Sequence, residues 1–429
     1  TNLVAETERV LAEVGGELTL SNAVFLAHER TLKLAQQDLE TKLARITRAT
    51  MFSAFLPTVA FSGNEALFSG RISGLPQAGS LETSGAHFGS GTMLVAQPVF
   101  TPVAWIMFAE TQYGVRIKDI VRDRAEQVMD IQVAALFYRA AVAERTVRTY
   151  ELQLASAAAL TNRLARLAAE GYALAADRAR AEARYAVDTA RLVQARNERA
   201  ETCAALADIL RLWPLATFAV KGDSLLELPA LPEKPLEEWV WDGLVTRKDL
   251  YASDQLIELR KARVIEALAS FLPNVVLGGG GANLSLESVA VRGWAGSLMG
   301  TWAAFEGFRS IQQYRAARAE REAEFKLHED RMLAVVVAVA NAYRNLLFAR
   351  EQATAARIFA AAARMDHAAT ERRYADGQET LSVVLDKLVV RDEAEVKAVQ
   401  AAYGEALAAI QLRQAVGLDL FASDRDMIK

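Results

Sequence analysis

Phe55-Leu56-Pro57 returns as Phe271-Leu272-Pro273, and each tripeptide stands at the same kind of border. Upstream lies a long helical stretch of mixed polar and apolar residues. Downstream lies a Gly-rich, helix-poor segment. Each such segment is followed by two further long helical stretches that meet at a lone glycine, Gly171 in the first copy and Gly377 in the second. Internal repeats are settled first, because a missed repeat misassigns the whole fold. The chain therefore reads as one unit written twice, over 18–213 and 236–418. The first repeat carries a helix, a β-hairpin at about 57–100 and helices at about 102–169 and 172–213. The second carries a helix, a hairpin at about 273–303 and helices at about 305–375 and 378–416. Around them lie an N-terminal extension (1–17), a mid-chain link (214–235) and a C-terminal tail (419–429).

Helix breakers support this division. All nine prolines fall within 57–102, within 214–235 or at Pro273. No Gly or Pro occurs between Gly114 and Gly171, between Gly171 and Pro214, or between Gly307 and Gly377. One helix over the last stretch would reach about 100 Å at about 1.5 Å per residue. The mean globular helix has only about 11–12 residues. Such lengths point to a coiled coil or a helical barrel. The Ala-rich filling, as in Ala175-Ala176-Asp177-Arg178-Ala179-Arg180-Ala181-Glu182, favours helix and allows close approach.

A seven-residue beat marks the seams. Tyr185, Leu192, Arg199, Leu206 and Trp213 share it, as do Leu381, Leu388 and Glu395; Ala195, Ile209, Val384 and Arg391 are offset. Arg199, Arg391 and Glu395 interrupt these stripes, which would be costly in a solid bundle. Either they face water inside a hollow helical barrel, or they mark the solvated side of an ordinary coiled coil.

The Gly-rich segments read as β-structure. From Val291 onward, Trp294, Gly296, Leu298, Gly300 and Trp302 alternate with Gly293, Ala295, Ser297, Met299 and Thr301. Trp294 and Trp302 lie about 27 Å apart along a strand at about 3.3 Å per residue. That matches the apolar band of about 25 Å between the aromatic girdles of outer-membrane barrels. Residues 275–287 supply the partner strand, with a turn near Glu287-Ser288. In the first copy 57–69 and 87–100 pair, with Gly70–Gly85 as a longer loop. Four strands cannot close a barrel, and open edges cannot sit in lipid. A membrane barrel therefore needs several chains; otherwise the hairpins cap a soluble coiled coil.

Composition narrows the function. Hydrophobic content of 52% and charge of 24% exclude a disordered chain. A net charge of -4 gives no reason to expect a nucleic-acid partner. The single cysteine, Cys203, excludes disulfides and a Cys-based zinc site within one chain, and reads as a small packed residue. No uninterrupted apolar run reaches the ~18–20 residues of a spanning helix. No signal peptide opens the chain, so the protein is expected to be cytosolic or to have lost its signal. An enzyme is not expected. His28-Glu29-Arg30-Thr31-Leu32 lacks the second histidine of a metalloprotease, and Gly278-Gly279-Gly280-Gly281 lacks the Lys-Ser/Thr of a phosphate loop. His28, His87, His328 and His367 are scattered surface or seam residues, and no metal or cofactor is expected.

Several motifs in this order resemble one family. Tyr374-Ala-Asp-Gly377-Gln-Glu-Thr-Leu381-Ser-Val-Val384-Leu385-Asp386 is similar to the tyrosine, glycine turn and Val-Leu-Asp opening of the last helix in the TolC-like outer membrane factors. Trp302-Ala-Ala-Phe305-Glu-Gly307 is similar to that family's Trp-x-x-Phe-Asp-Gly at a strand-to-helix junction. Gln97-Pro98-Val99-Phe100 and the closing Ala415-Val416-Gly417-Leu418 also resemble their family counterparts. The resemblance runs from about residue 18 to about 420.

The resemblance implies a mainly α fold with membrane β-structure. Long antiparallel coiled-coil helices would form an α-barrel, and four strands per chain would join a trimeric twelve-stranded β-barrel. It implies a passive bacterial outer-membrane duct whose tunnel extends into the periplasm. Its partners would be two further copies, outer-membrane lipid, a periplasmic adaptor and an inner-membrane transporter. The cargo would be small molecules such as drugs or metals, or proteins in type I secretion. Segment 214–235 would lie in the tunnel's equatorial belt. Gly171 and Gly377 would be tip turns where the adaptor docks, and Asp177, Tyr374, Glu379 and Asp386 would line or gate the pore. Two departures stand out: Val383 replaces an acid of some members, and Glu379 replaces the type member's cation. Glu379 cannot pair with Asp177, leaving Arg178 or Arg372 as substitutes. Three Asp carboxylates around a narrow axis favour cations; alternatively these acids merely suit the first turns of helices. The reading of a different class is a soluble coiled-coil scaffold.

Overall fold

The computed structural model describes residues 2–75, 79–170, 174–222, 230–286 and 289–421. Nine helices occur among them. Five are of moderate length: α1 (Asn2–Glu13), α2 (Leu20–Arg30), α3 (Leu32–Phe52), α6 (Leu236–Thr246) and α7 (Lys248–Ala269). Four are long: α4 (Pro102–Ala169), α5 (Ala175–Ile209), α8 (Arg309–Ala375) and α9 (Leu381–Val416). The strands are β1 (Glu17–Leu18), β2 (Thr58–Leu75), β3 (Gly79–Phe100), β4 (Ala219–Val220), β5 (Asn274–Leu286) and β6 (Val289–Thr301).

Local chemistry sets the borders. Pro102 starts α4, where its missing N–H would have no helical acceptor. The Thr19 hydroxyl caps α2 by accepting the Asn22 N–H at 3.2 Å. Gly377, at φ +73°, ends α8, and Gly417, at φ +87°, ends α9. Both close the helix in the same way. Gln378 N–H donates to Arg373 O at 2.8 Å, and Leu418 N–H to Arg413 O at 2.9 Å. This six-to-one bond needs a left-handed residue, which glycine adopts without a steric penalty. Strands β2 and β5 begin right after the two Phe-Leu-Pro tripeptides.

The main sheet has the order β2-β3-β5-β6, with every neighbour antiparallel. The first hairpin departs from expectation. Gly70–Gly85 was predicted as a loop, yet pairing continues from Gly70↔Thr83 to Leu75↔Gly79. Gly and Ser carry little strand propensity, so the stretch reads as loop. A ladder between two adjacent strands needs only backbone groups. In the second hairpin, pairing reaches Leu286↔Val289, so the expected turn at Glu287-Ser288 lies outside the described residues.

The chain divides into two compact units. One comprises 1–37, 121–250 and 330–429, the other 38–120 and 251–329. In the first unit, α1, α2, α4, α5 and α9 share a core of Leu18, Leu20, Phe137, Leu206, Leu210 and Ile410, with Cys203 packed into it as expected. The short β1 pairs in parallel with β4, so residues on both sides of this core are joined by backbone bonds. A second core sets Trp239 and Leu250 against Val335, Val339, Leu346, Leu412 and Val416. Helix α8 contains an 18-residue stretch with the composition of a spanning segment, at mean hydropathy 1.6. Val335 and Val339 of that second core belong to the same helix. The second unit holds the main sheet and the adjoining parts of α3, α4, α7 and α8.

Candidate functional site

The register of the main sheet sorts its side chains. Val59, Phe61 and Leu67 of β2 lie on one face; directly across the strands, Met93 and Val95 of β3, Leu277 of β5 and Trp294 and Leu298 of β6 share it, with Glu65, Gln97, Asn283 and Arg292 as its polar members. The other face carries Ser62, Asn64, Ser90, Thr92, Gly278, Gly280, Ala295 and Ser297, with Leu94, Leu284, Val291 and Met299 as its larger residues. Ser62 and Thr92 hydrogen-bond across β2 and β3 on that second face. On the first face Trp294 is 90% exposed, Phe61 77% and Leu67 71%. An apolar patch of that extent marks a surface for lipid or a partner. Trp302 follows the end of β6, and its Nε1–H donates to Phe271 O at 3.1 Å. That bond ties the predicted girdle residue to the Phe-Leu-Pro border.

The turn between α8 and α9 brings several predicted residues together. Tyr374 packs against a cluster of Leu164 of α4, Ala181 of α5, and Leu381, Leu385 and Leu388 of α9, which Leu160 of α4 also joins. Its ring thus sits, partly buried, beside residues of α4, α5 and α9. Glu379 lies 3.7 Å from Arg373 across the Gly377 turn. Asp386 is exposed, and Asp177 is half-buried in the first turn of α5. Among the described residues neither carboxylate has an ion-pair partner. Arg178, one of the expected substitutes, is instead paired with Glu182 at 2.7 Å. Gly171 lies outside the described residues.

A buried ionic cluster was missed by sequence reasoning. Asp188 of α5 is 1% exposed and Asp392 of α9 is 3% exposed. Arg184 bridges them, with Nε 2.6 Å from Asp188 and Nη2 3.0 Å from Asp392. Arg391 adds Nη2 at 2.7 Å to Asp392, and the Gln153 amide of α4 donates to the Asp392 carbonyl at 3.3 Å. Burial pushes the Asp392 carboxyl up, while Arg391 and Arg184 pull it down. The nearby His367 of α8 is pushed down by burial first and by Arg391 second. Arg391, partly exposed, also neutralises a buried acid. Arg199 and Glu395, the other interruptions, pair with Glu144 and Arg364. The Arg184–Asp188 and Arg391–Asp392 pairs lie within single helices, but the Arg184–Asp392, Arg199–Glu144 and Arg364–Glu395 pairs cross between helices, which a charge pattern along one helix cannot reveal. Histidines behave similarly: His28 sits between Glu126 and Asp130, and His328 between Ser253 and Asp254. Among the described residues no cluster has the makings of a metal site.

Comparison with known proteins agrees with this arrangement. Residues 240–418 match the profile of the family described as outer membrane efflux protein. Protein CyaE of Bordetella pertussis is 27% identical over 351 residues, covering 78% of this chain and 70% of that protein. The open state of the Neisseria gonorrhoeae MtrE outer membrane channel superposes with a TM-score of 0.78 at 20% identity, covering 94% of this chain and 89% of that one. The outer membrane protein VceC of Vibrio cholerae gives 0.76 at 15% identity, covering 94% and 96%. The TolC-like resemblance read from the motifs is borne out, and the protein is placed in the bacterial outer membrane.

Proposed function

We propose that this chain, an outer membrane efflux protein over residues 240–418, is one protomer of a trimeric exit duct for small molecules. Three copies would supply twelve strands to a closed barrel and their long helices to a periplasmic tunnel, each of the two halves contributing a hairpin and a helix pair. The duct itself is passive, not an enzyme; an inner-membrane transporter supplies energy through a periplasmic adaptor. The observation that carries this reading is the two-faced sheet with β2 and β6 as its outer strands. The Phe61, Leu277, Trp294 and Leu298 part of one face suits lipid, the Ser- and Gly-rich face suits a wet lumen, and unpaired edges demand closure by further copies. The test is extraction and sizing. The duct requires detergent, runs as a heat-modifiable trimer and conducts ions in planar bilayers. A monodisperse monomer or dimer in plain buffer without β-signal would establish the soluble scaffold instead.

Asp177, Tyr374, Glu379 and Asp386 form the proposed entrance, with Gly171 and Gly377 as the turns offered to the adaptor. The unpaired Asp386 and Asp177 favour cations near the axis, while Tyr374 ties the turn to the helix junction. Single-channel recording of Asp386→Ala checks this: cation selectivity and block by polyvalent cations are expected to weaken. Unchanged values would remove Asp386 from the pore ring.

A further inference from the structure

Glu110 of α4 and Glu266 of α7 line one cavity inside the second unit, with carboxyls close enough to interact. Two carboxyls held side by side in a partly buried site favour sharing a proton over both being ionised. The chain brings them there by a short route. Helix α4 leaves the end of β3 and α7 leads into β5, and Phe100 of β3 pairs with Val275 of β5. The two helices therefore hang from adjacent ends of paired strands, with the acids on the facing turns.

The surroundings do not neutralise the pair. The Glu110 side chain is 15% exposed, and its Oε1 accepts no hydrogen bond among the described residues. From α7, Arg263 reaches Glu110 only at 4.0 Å and lies 3.8 Å from Glu320 of α8. Arg260 of α7 is engaged by Glu320 at 2.7 Å and stands 3.8 Å from Glu324. From α3, Arg48 lies over the Phe108 ring rather than over Glu110. Beside the acids is a cavity of about 530 Å³ whose walls include Met107, Ala267, Gln313 and Glu320. That cavity gives the two helices room to move.

We propose that Glu110 and Glu266 are a proton-operated clamp between α4 and α7, tied when they hold one proton and loosened when it is lost to water. Loss of the proton takes the pair from one negative charge to two and removes the bond between the helices. Burial, reinforced by Glu266 and opposed by Arg263, raises the Glu110 carboxyl to about 7, so the change falls near neutral pH. The clamp does not depend on the duct reading, and its tests need no transport measurement.

Infrared titration of the full chain in detergent tests it directly. A protonated-carboxyl band is expected to vanish with a midpoint near pH 7, and to be missing in both Glu110→Gln and Glu266→Gln. A band surviving in both variants, or no carboxyl titrating near neutral pH, overturns the proposal. If one variant fails to fold, the other decides. Spin labels at Met107→Cys and Ser270→Cys, in a Cys203→Ala background, test the motion. Their separation is expected to grow as the band vanishes and to be independent of pH once Glu266→Gln is added. A constant separation in the otherwise unaltered pair also overturns the clamp.

Discussion

The cluster of Arg184, Asp188, Arg391 and Asp392 and the pair of Glu110 and Glu266 both place acids in helix seams. In the first, each carboxylate meets at least one guanidinium within about 3 Å. In the second, a carboxyl meets another carboxyl, and the nearest guanidinium stands at 4.0 Å. The first seam joins opposite charges in direct contact, with burial still leaving the Asp392 carboxyl above its ordinary range. The second changes its bonding with one proton. Like residues on like helices thus serve as a permanent tie in one place and a conditional one in the other; the partner's charge decides which.

The largest effect is expected at the permanent tie. Asp392→Ala leaves Arg391 without its carboxylate and Arg184 with Asp188 alone, and breaking a buried pair typically costs about 3–5 kcal/mol. Thermal or denaturant unfolding in detergent measures it, and a loss below about 1 kcal/mol would erase the distinction between the sites. Next comes Glu110→Gln. The folded carboxyl titrates above its ordinary range, so the native state holds a proton that the unfolded chain releases earlier. Stability from this group is full below about pH 4.5, falls as pH rises and is gone above about 7. After allowance for solvent screening the wild-type decline is about 1–2 kcal/mol. It is expected to disappear in Glu110→Gln, whose stability should exceed the wild type's at pH 8. Arg263→Gln sharpens the point, because removing the one cation that lowers Glu110 should move the infrared midpoint upward. Smallest is Arg45→Ala, which breaks the exposed 3.0 Å pair with Asp119 between α3 and α4. Exposed pairs contribute about 0–1 kcal/mol, with little pH dependence near neutrality.

Much of the fold was legible because its signals are local. Phe-Leu-Pro marks both strand entries, Gly377 a left-handed helix end, and alternation from Val291 a strand. Motif order also led to the family. The two charge sites were not legible. Asp188 and Asp392 meet across a large sequence separation, as do Glu110 and Glu266, and a heptad stripe does not state which neighbour it will face. Gly70–Gly85 was missed for another reason: its pairing is carried by backbone, which composition reports poorly. Glu379 was recognised as a departure, but its approach to Arg373 depends on how tightly the Gly377 turn closes.

The sheet order has a kinetic consequence. Strands β2 and β6 are the outer strands of the chain's own sheet, with outward N–H and C=O groups left for another strand. In hydrocarbon each unmet group costs several kcal/mol. A lone chain therefore cannot enter the bilayer with its sheet open. In the proposed duct, insertion waits for encounter with other copies, so its rate should rise more steeply than linearly with chain concentration. The same edges are adhesive in water. Slow encounter then favours aggregation, and dilution alone should not rescue insertion.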